Sequence, residues 1–153
     1  MTTSTIITML KADHQEVSSL FAKAIATTER NPGERTRLFE KINEALRKHT
    51  QFEEEQLYPV LAKAKNTKDE ALEAFEEHGQ IKMLLADLAK TKPTDERWKA
   101  KMTVLSEDVH HHVQEEEKSD GLFAHLKKRL DEATLVELGE QYDPSKQALA
   151  GRH

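Results

Sequence analysis

Residues 109–117 read "VHHHVQEEE", three consecutive histidines and then, after Val113 and Gln114, three glutamates. Taken alone, the run is either a solvated charged face or part of a buried polar site. The residues before it decide between the two. Met102, Leu105 and Val109 recur at steps of three and four, the spacing that places side chains on one face of an α-helix. Continuing that step reaches His112 and then Glu116. His112 and Glu116 are therefore expected to face a helical core, while His110, His111, Glu115 and Glu117 fall at its edges or in solvent.

The same periodicity runs through the whole chain. Three clusters of breakers interrupt it: "NPGE" at 31–34, "KNTKD" at 65–69 and "KTKPTDE" at 90–96. Pro, Gly, Asn and Asp favour turns over helix interiors, so four helices are expected at about 4–29, 34–63, 68–90 and 94–118. Short connections make neighbours antiparallel, and the expected fold class is all-α, an up-down-up-down four-helix bundle with a short C-terminal helical extension. "KSDG" at 118–121 interrupts the fourth helix. "LFAHLKKRL" then continues the bundle, "DEATLVELGEQY" forms a short helix opened by an Asp or Thr cap, and "DPSKQALAGRH" from Asp143 is expected to be a loosely held tail.

Composition agrees with this class. The 153 residues suit one domain, expected to span 1–153 with its bundle core at about 5–125, and 37% of them are hydrophobic and 33% charged, with 5 Gly and 4 Pro. The net charge of −5 comes from interspersed acids and lysines, without the basic stripe that nucleic acid requires. No cysteine occurs, which removes disulfides, thiolate metal sites and cysteine catalysis. The opening residues lack the pattern of a secretory leader, and no apolar run reaches membrane-spanning length, so a cytoplasmic location is expected, with neither nucleic acid nor membrane as partner. No feature identifies a protein partner.

Each helix places a polar group on its apolar stripe. In the first, His14 lies between Leu10 and Val17, with Phe21 and Ala24 beyond. In the second, His49 and, one turn later, Glu53 follow Leu38, Ile42 and Ala45, with Phe52 and Leu57 also facing inward. The third carries His78 among Leu72, Phe75, Leu85 and Leu88. In an antiparallel hairpin, residues equidistant from the turn share a level. The midpoints of His14 and His49, of His49/Glu53 and His78, and of His78 and His112 all fall in or next to breaker clusters. Four imidazoles and two carboxylates are thus expected at one level of an apolar bundle. Burying them is costly unless a partner compensates their charges and lone pairs, and a metal centre does this.

Imidazole and carboxylate without thiolate suit iron, manganese or zinc. Two glutamates on two helices favour a pair of ions bridged by carboxylate, with His14 and His78 each capping one ion or sharing one. Two six-coordinate ions offer about twelve positions, of which four imidazoles and two bridging carboxylates fill about eight and an oxo or hydroxo bridge about two more. The open positions, in a pocket expected to involve Leu10, Val17, Phe21, Phe52, Phe75 and Val109, favour small diatomic or peroxidic ligands. Tyr58, one turn after Glu53 and Glu54, either brings its phenol to the centre or, as the favoured reading, is an ordinary interface residue before Pro59. Gly79 beside His78 marks either a close backbone approach or a tolerated surface position. His125 and His153 are assigned no role.

The segments "LKADHQEVSSLF", "LRKHTQFEEEQLYPVL", "FEEHGQIKMLLADL" and "VHHHVQEEEKSDGLF", in this order, resemble the hemerythrin-like, HHE cation-binding family over about residues 5–125. The resemblance implies a four-helix bundle around a non-heme diiron centre with His14, His49, Glu53, His78, His112 and Glu116 as ligands. With the open positions at the metals, the first functional reading is binding or reduction of O2, NO or peroxide, as sensor, store or detoxifying protein with modest peroxide-consuming or oxidoreductase activity. Alternatives are an iron-binding regulatory or delivery module and a zinc-stabilised structural bundle. The chain departs from the oxygen carriers in three ways. Ala74 and Lys82 stand where they have a second third-helix histidine. Glu116 follows His112 by four residues, where they have an aspartate at five. The "LYP" after Glu53 is matched only by a displaced "LF" after "KSDG".

Overall fold

A computed structural model describes residues 4–145, so the tail expected from Asp143 lies mostly outside the described residues. Helix α1 spans Ile6–Ile25 and opens on a capping box in which Thr5 and Thr8 exchange side-chain and backbone hydrogen bonds. Helix α2, Pro32–Phe52, has proline in its first turn, where the missing N–H costs nothing. A widened π turn at Glu53–Leu57 joins it to α3, Tyr58–Ala62. Helices α4, Lys65–Ala89, and α5, Trp98–Glu117, complete the bundle, followed by α6, Leu122–Arg129, and α7, Glu132–Tyr142. Helix α1 packs on α2 and α5, α4 packs on α5 and α2, and the ring of four closes. Asp131 caps α7 by accepting from the Thr134 N–H at 2.8 Å.

The second helix is not the straight segment that periodicity predicts. Pro59 has no N–H and crowds the carbonyl four residues back, so a regular α-turn cannot run through it. The chain widens instead, with the Tyr58 N–H bonding the Glu53 carbonyl five residues back. In an uninterrupted α-helix, Glu53 and Tyr58 would point roughly 140° apart; a π turn closes one residue later and brings both to the same face. Both are buried, Glu53 at 0% and Tyr58 at 1% exposure.

The fourth helix ends at Glu117, one residue past Glu116, at the "KSDG" turn. A Cβ on Gly121 would lie 2.4 Å from the Glu115 carbonyl oxygen and 2.9 Å from that of Glu116, so only glycine allows α6 to start this close to the end of α5. Helix α6 is a separate helix that continues the bundle beyond the turn: its His125 pairs with Glu70 and its Arg129 with Asn66, so it runs antiparallel to α4 as α5 does, and it buries Leu122, Phe123 and Leu126.

Two apolar clusters fill the bundle. One gathers Val17, Phe21, Leu38, Ile42, Leu46, Ile81, Leu85, Met102 and Leu105. The other gathers Ile6, Leu10, Leu57, Tyr58, Leu61, Ala71, Ala74, Phe123 and Tyr142. The inward stripe of α4 runs Ala71, Ala74, His78, Ile81 and Leu85. Leu72, expected inside, is 49% exposed, because the register that buries His78 and Ile81 turns it out. Gly79 is exposed, with open space where a Cβ would sit, and marks no close approach. No helix among the described residues is long and apolar enough to cross a membrane.

Candidate metal centre

Between the two apolar clusters, the bundle brings His14, His49, Glu53, His78, His112 and Glu116 together. Their side chains are buried, His14 being 8% exposed. The groups sort into two sets of metal-ligating type: His14, His49 and Glu116, and Glu53, His78 and His112. The Nε2 atoms of His14 and His49 stand 3.3 Å apart and those of His78 and His112 3.0 Å apart.

The carboxylates lie between the two histidine pairs. Glu53 Oε1 is 3.3 Å from His49 Nε2 and 3.2 Å from His78 Nε2. Glu116 reaches His14 Nε2 at 3.2 Å through Oε1 and His112 Nε2 at 3.6 Å through Oε2. Each glutamate therefore spans both sets instead of serving only the histidine one turn before it. Glu53 Oε2 and Glu116 Oε1 are buried without a hydrogen-bond partner among the described residues; His14 Nε2 is within ion-pair distance of the latter but not in hydrogen-bonding geometry. A buried lone pair without a donor is costly, and a cation between the two carboxylates satisfies both. The residues present fit a pair of metal ions.

Each of these four imidazoles is held from behind by a carboxylate at Nδ1: His14 by Glu117 at 2.5 Å, His49 by Asp13 at 3.2 Å, His78 by Glu54 at 3.0 Å and His112 by Glu77 at 2.7 Å. Such a partner fixes the proton on Nδ1 and turns the Nε2 lone pair toward the centre. Sequence reasoning missed this outer ring. Its signal was an acid beside a stripe histidine, as in "DH", "EEH" and "HVQEEE", but the chain is so rich in acids that adjacency alone distinguishes none of them. Glu117, expected at an edge, does lie there, at 34% side-chain exposure, and still reaches His14.

The largest departure from expectation is Tyr58. Instead of serving as an interface residue, its hydroxyl stands at the centre, 3.2 Å from Glu53 Oε1, 3.0 Å from His78 Nε2, 3.2 Å from His112 Nε2 and 3.1 Å from Glu116 Oε2. The π turn aims it there. Burial, with the charges of Glu116 and Glu53, pushes its phenol well above the ordinary value of 10, so without a cation Tyr58 keeps its proton.

Burial opposes charge on His49, but Glu53 and Asp13 outweigh it and hold the imidazole well above 6.5. His112 follows the same pattern, with Glu116 overcoming burial. Burial likewise works against the Glu116 carboxylate, and His112 draws it well below the usual range. Protons on the histidines thus balance the carboxylates until a metal takes their place.

The apolar surroundings differ in detail from those expected. A cavity of about 20 Å³ touches His14, His49 and His112 and is lined on its apolar side by Val17, Leu46, Ile81, Val109 and Val113. Leu10, Phe52 and Phe75 belong to the Tyr58 side of the centre. Outside the cavity, a groove of about 360 Å³ between α1 and α5 shares His14, Val109 and Val113 with it and is walled by Phe21 and His110. His125, given no role, pairs with Glu70 at 2.8 Å and Asp120 at 2.9 Å and ties α6 to α4. His153 lies outside the described residues.

The family model described as "Hemerythrin HHE cation binding domain" matches residues 5–126. A DNA nickase of Nostoc sp. is 25% identical over 144 residues, covering 94% of this chain and 40% of the relative. The chain thus spans well under half the length of that relative. No solved structure matches.

Proposed function

Because the chain belongs to the hemerythrin HHE cation-binding family, we propose that its centre holds two iron ions and binds or reduces a small diatomic or peroxidic ligand: O2, NO or peroxide. The observation that carries this reading is the pair of donor sets sharing two buried carboxylates beside a cavity of about 20 Å³. A space of that size admits about one water-sized molecule, which favours small diatomic or peroxidic ligands over organic substrates. When bound, a ferrous pair supplies the two electrons that reduction of such a ligand needs.

The chain's own residues prepare the site for this. His14, His49, His78 and His112 offer Nε2, each oriented by its carboxylate. Glu53 and Glu116 span the two sets and neutralise part of the metal charge. Tyr58 stands on the His78/His112 side, as a donor where Ala74 and Lys82 offer no second histidine; Lys82 instead holds Glu54 at 2.8 Å. Contact with a cation reverses the balance that keeps the phenol protonated, so Tyr58 either ligates as phenolate or gives its proton to the ligand. Val17, Leu46, Ile81, Val109 and Val113 give the cavity an apolar lining.

Anaerobic loading with ferrous iron, metal analysis and an optical spectrum before and after O2, NO or peroxide test the proposal. The expected result is close to two irons per chain, with a spectral change on adding the ligand and, in the oxidised protein, a visible phenolate-to-iron band lost in Tyr58→Phe. Reproducible uptake of one zinc after iron-rich expression, with no spectral response, would replace it with the structural-zinc reading. A loaded wild type without the visible band restricts Tyr58 to hydrogen bonding.

A further inference from the structure

Helix α7 lies beyond the residues matched by the family, 5–126, yet its last residue reaches the surroundings of the centre. Tyr142 is 7% exposed. Its ring packs edge-on against Phe52 with centroids 4.9 Å apart, under the Lys48 ammonium at 4.6 Å. Its hydroxyl donates to Asp13 Oδ2 at 2.5 Å. The same oxygen lies 3.2 Å from Nδ1 of His49, whose Nε2 faces the centre. One carboxylate oxygen therefore takes a hydrogen bond from a phenol on α7 and another from an imidazole on α2.

Helix α7 is closely seated. A Cβ on Gly139 would meet Met9 Sδ at 2.9 Å, Ile6 N at 3.2 Å and the Thr5 carbonyl carbon at 3.3 Å, so α7 rests directly on the start of α1, with Leu135 buried beside it. Burial and the Asp13 carboxylate raise the Tyr142 phenol far above the ordinary value of 10, which leaves the phenol as donor and Asp13 as acceptor.

We propose that Tyr142 is a positioning residue of the metal centre, acting through Asp13 on His49, and that docking of α7 and metal loading are thereby linked. This rests on the reading of His49 as a ligand. Held by the phenol, Asp13 keeps one rotamer, and the Nδ1–H of His49 keeps a fixed acceptor. Without the phenol, Asp13 is free to turn toward Lys48 or solvent, and the His49 ring loses its orientation. Linkage is reciprocal: whatever α7 adds to metal affinity, metal adds to the docking of α7. Loss of an outer partner of a ligating histidine lowers metal affinity about 10- to 100-fold; Tyr142 is one bond further out, and about tenfold is expected.

The test uses the full chain loaded anaerobically with ferrous iron and challenged with an excess of a coloured ferrous chelator. In Tyr142→Phe, release of the iron held by His49 is expected to quicken about tenfold. In Asp13→Asn, removing the phenol as well should add nothing, because Tyr142 acts through Asp13. Hydrogen exchange of α7 amides should be slower in the loaded than in the metal-free wild type, and this difference should vanish in Tyr142→Phe. A residue that only stabilises the fold would shift the urea midpoint while leaving release unchanged. Wild-type release from Tyr142→Phe, or additive effects in the double variant, overturns the proposal while the centre stands. A wild type that takes up no iron overturns both.

Discussion

At the scale of the residue, burial makes the centre sensitive to single atoms. Nε2 of His112 lies 3.0 Å from that of His78, whereas His110 lines the outer groove. His112→Ala is expected to lower iron content, and His110→Ala to leave it at the wild-type level, both read by metal analysis of purified protein. Equal loss from the two would mean that α5 has a different register. Glu53→Gln keeps the shape and one oxygen but removes the charge shared by His49 and His78, so two irons per chain should fall to one or none. Full loading of this variant would sink the carboxylate-bridged pair. The six inward residues were legible because each continued a three-four stripe. Tyr58 was legible only as the lesser alternative, since a regular helix would turn it roughly 140° from Glu53 and the π turn brings the two together.

At the scale of the element, two turns decide what the helices present. Pro59→Ala restores an N–H and removes the ring that obstructs a regular turn. Glu53–Ala62 should then relax toward α-helix and swing Tyr58 from the centre, so the visible phenolate band of the loaded protein should weaken. A band of full intensity would show that packing around Tyr58, rather than Pro59, maintains the wide turn. Gly121→Ala forces a Cβ against two carbonyl oxygens and should destabilise the protein by about 1–3 kcal/mol, the usual cost of overpacking. Gly79→Ala, in open space on a helix, should stabilise it by up to about 1 kcal/mol. Urea unfolding of the two variants measures both, and a neutral Gly121→Ala would mean that α6 is not held against the end of α5. The "KSDG" turn and the helix that continues the bundle beyond it were visible in the sequence, but the close approach of Gly121 to the end of α5 was not, because a turn signal marks a break without giving the distance at which the chain resumes.

At the scale of the molecule, the metal is expected to be part of the fold. Chelation leaves four imidazoles and two carboxylates between two apolar clusters. Ligand binding to the native state alone is worth about 4 kcal/mol when free metal is a thousandfold above Kd, so the loaded chain should melt about 10 °C above the metal-free chain. Equal melting temperatures would refute the idea that metal holds the bundle together. The metal-free form should also depend on pH in a defined way. His49 and His112 are raised above 6.5, so their stabilisation is complete below that value and is lost as pH rises through their folded pKa values. Glu116 is depressed below 4.5, so its contribution is present above that value and is lost as pH falls through its folded pKa. The metal-free chain should be most stable between about pH 4.5 and 6.5, and the gain from metal should grow above neutrality as metal replaces the protons. Melting curves with and without chelator across pH check this.

The sequence alone determined the helical class, the four stripes and the common level of six polar groups. These come from local periodicity and from the positions of breakers, both properties of a single segment. Tertiary structure alone decided that Glu53 and Glu116 each span both histidine pairs, that an outer ring of acids stands behind the imidazoles, that Tyr58 reaches the centre, and that α7 brings Tyr142 to Asp13. All four depend on relations between elements. Helix rotation, the angle at which a turn releases the chain and the distance between facing helices are set by how whole surfaces pack, and no repeat along one strand of sequence encodes them.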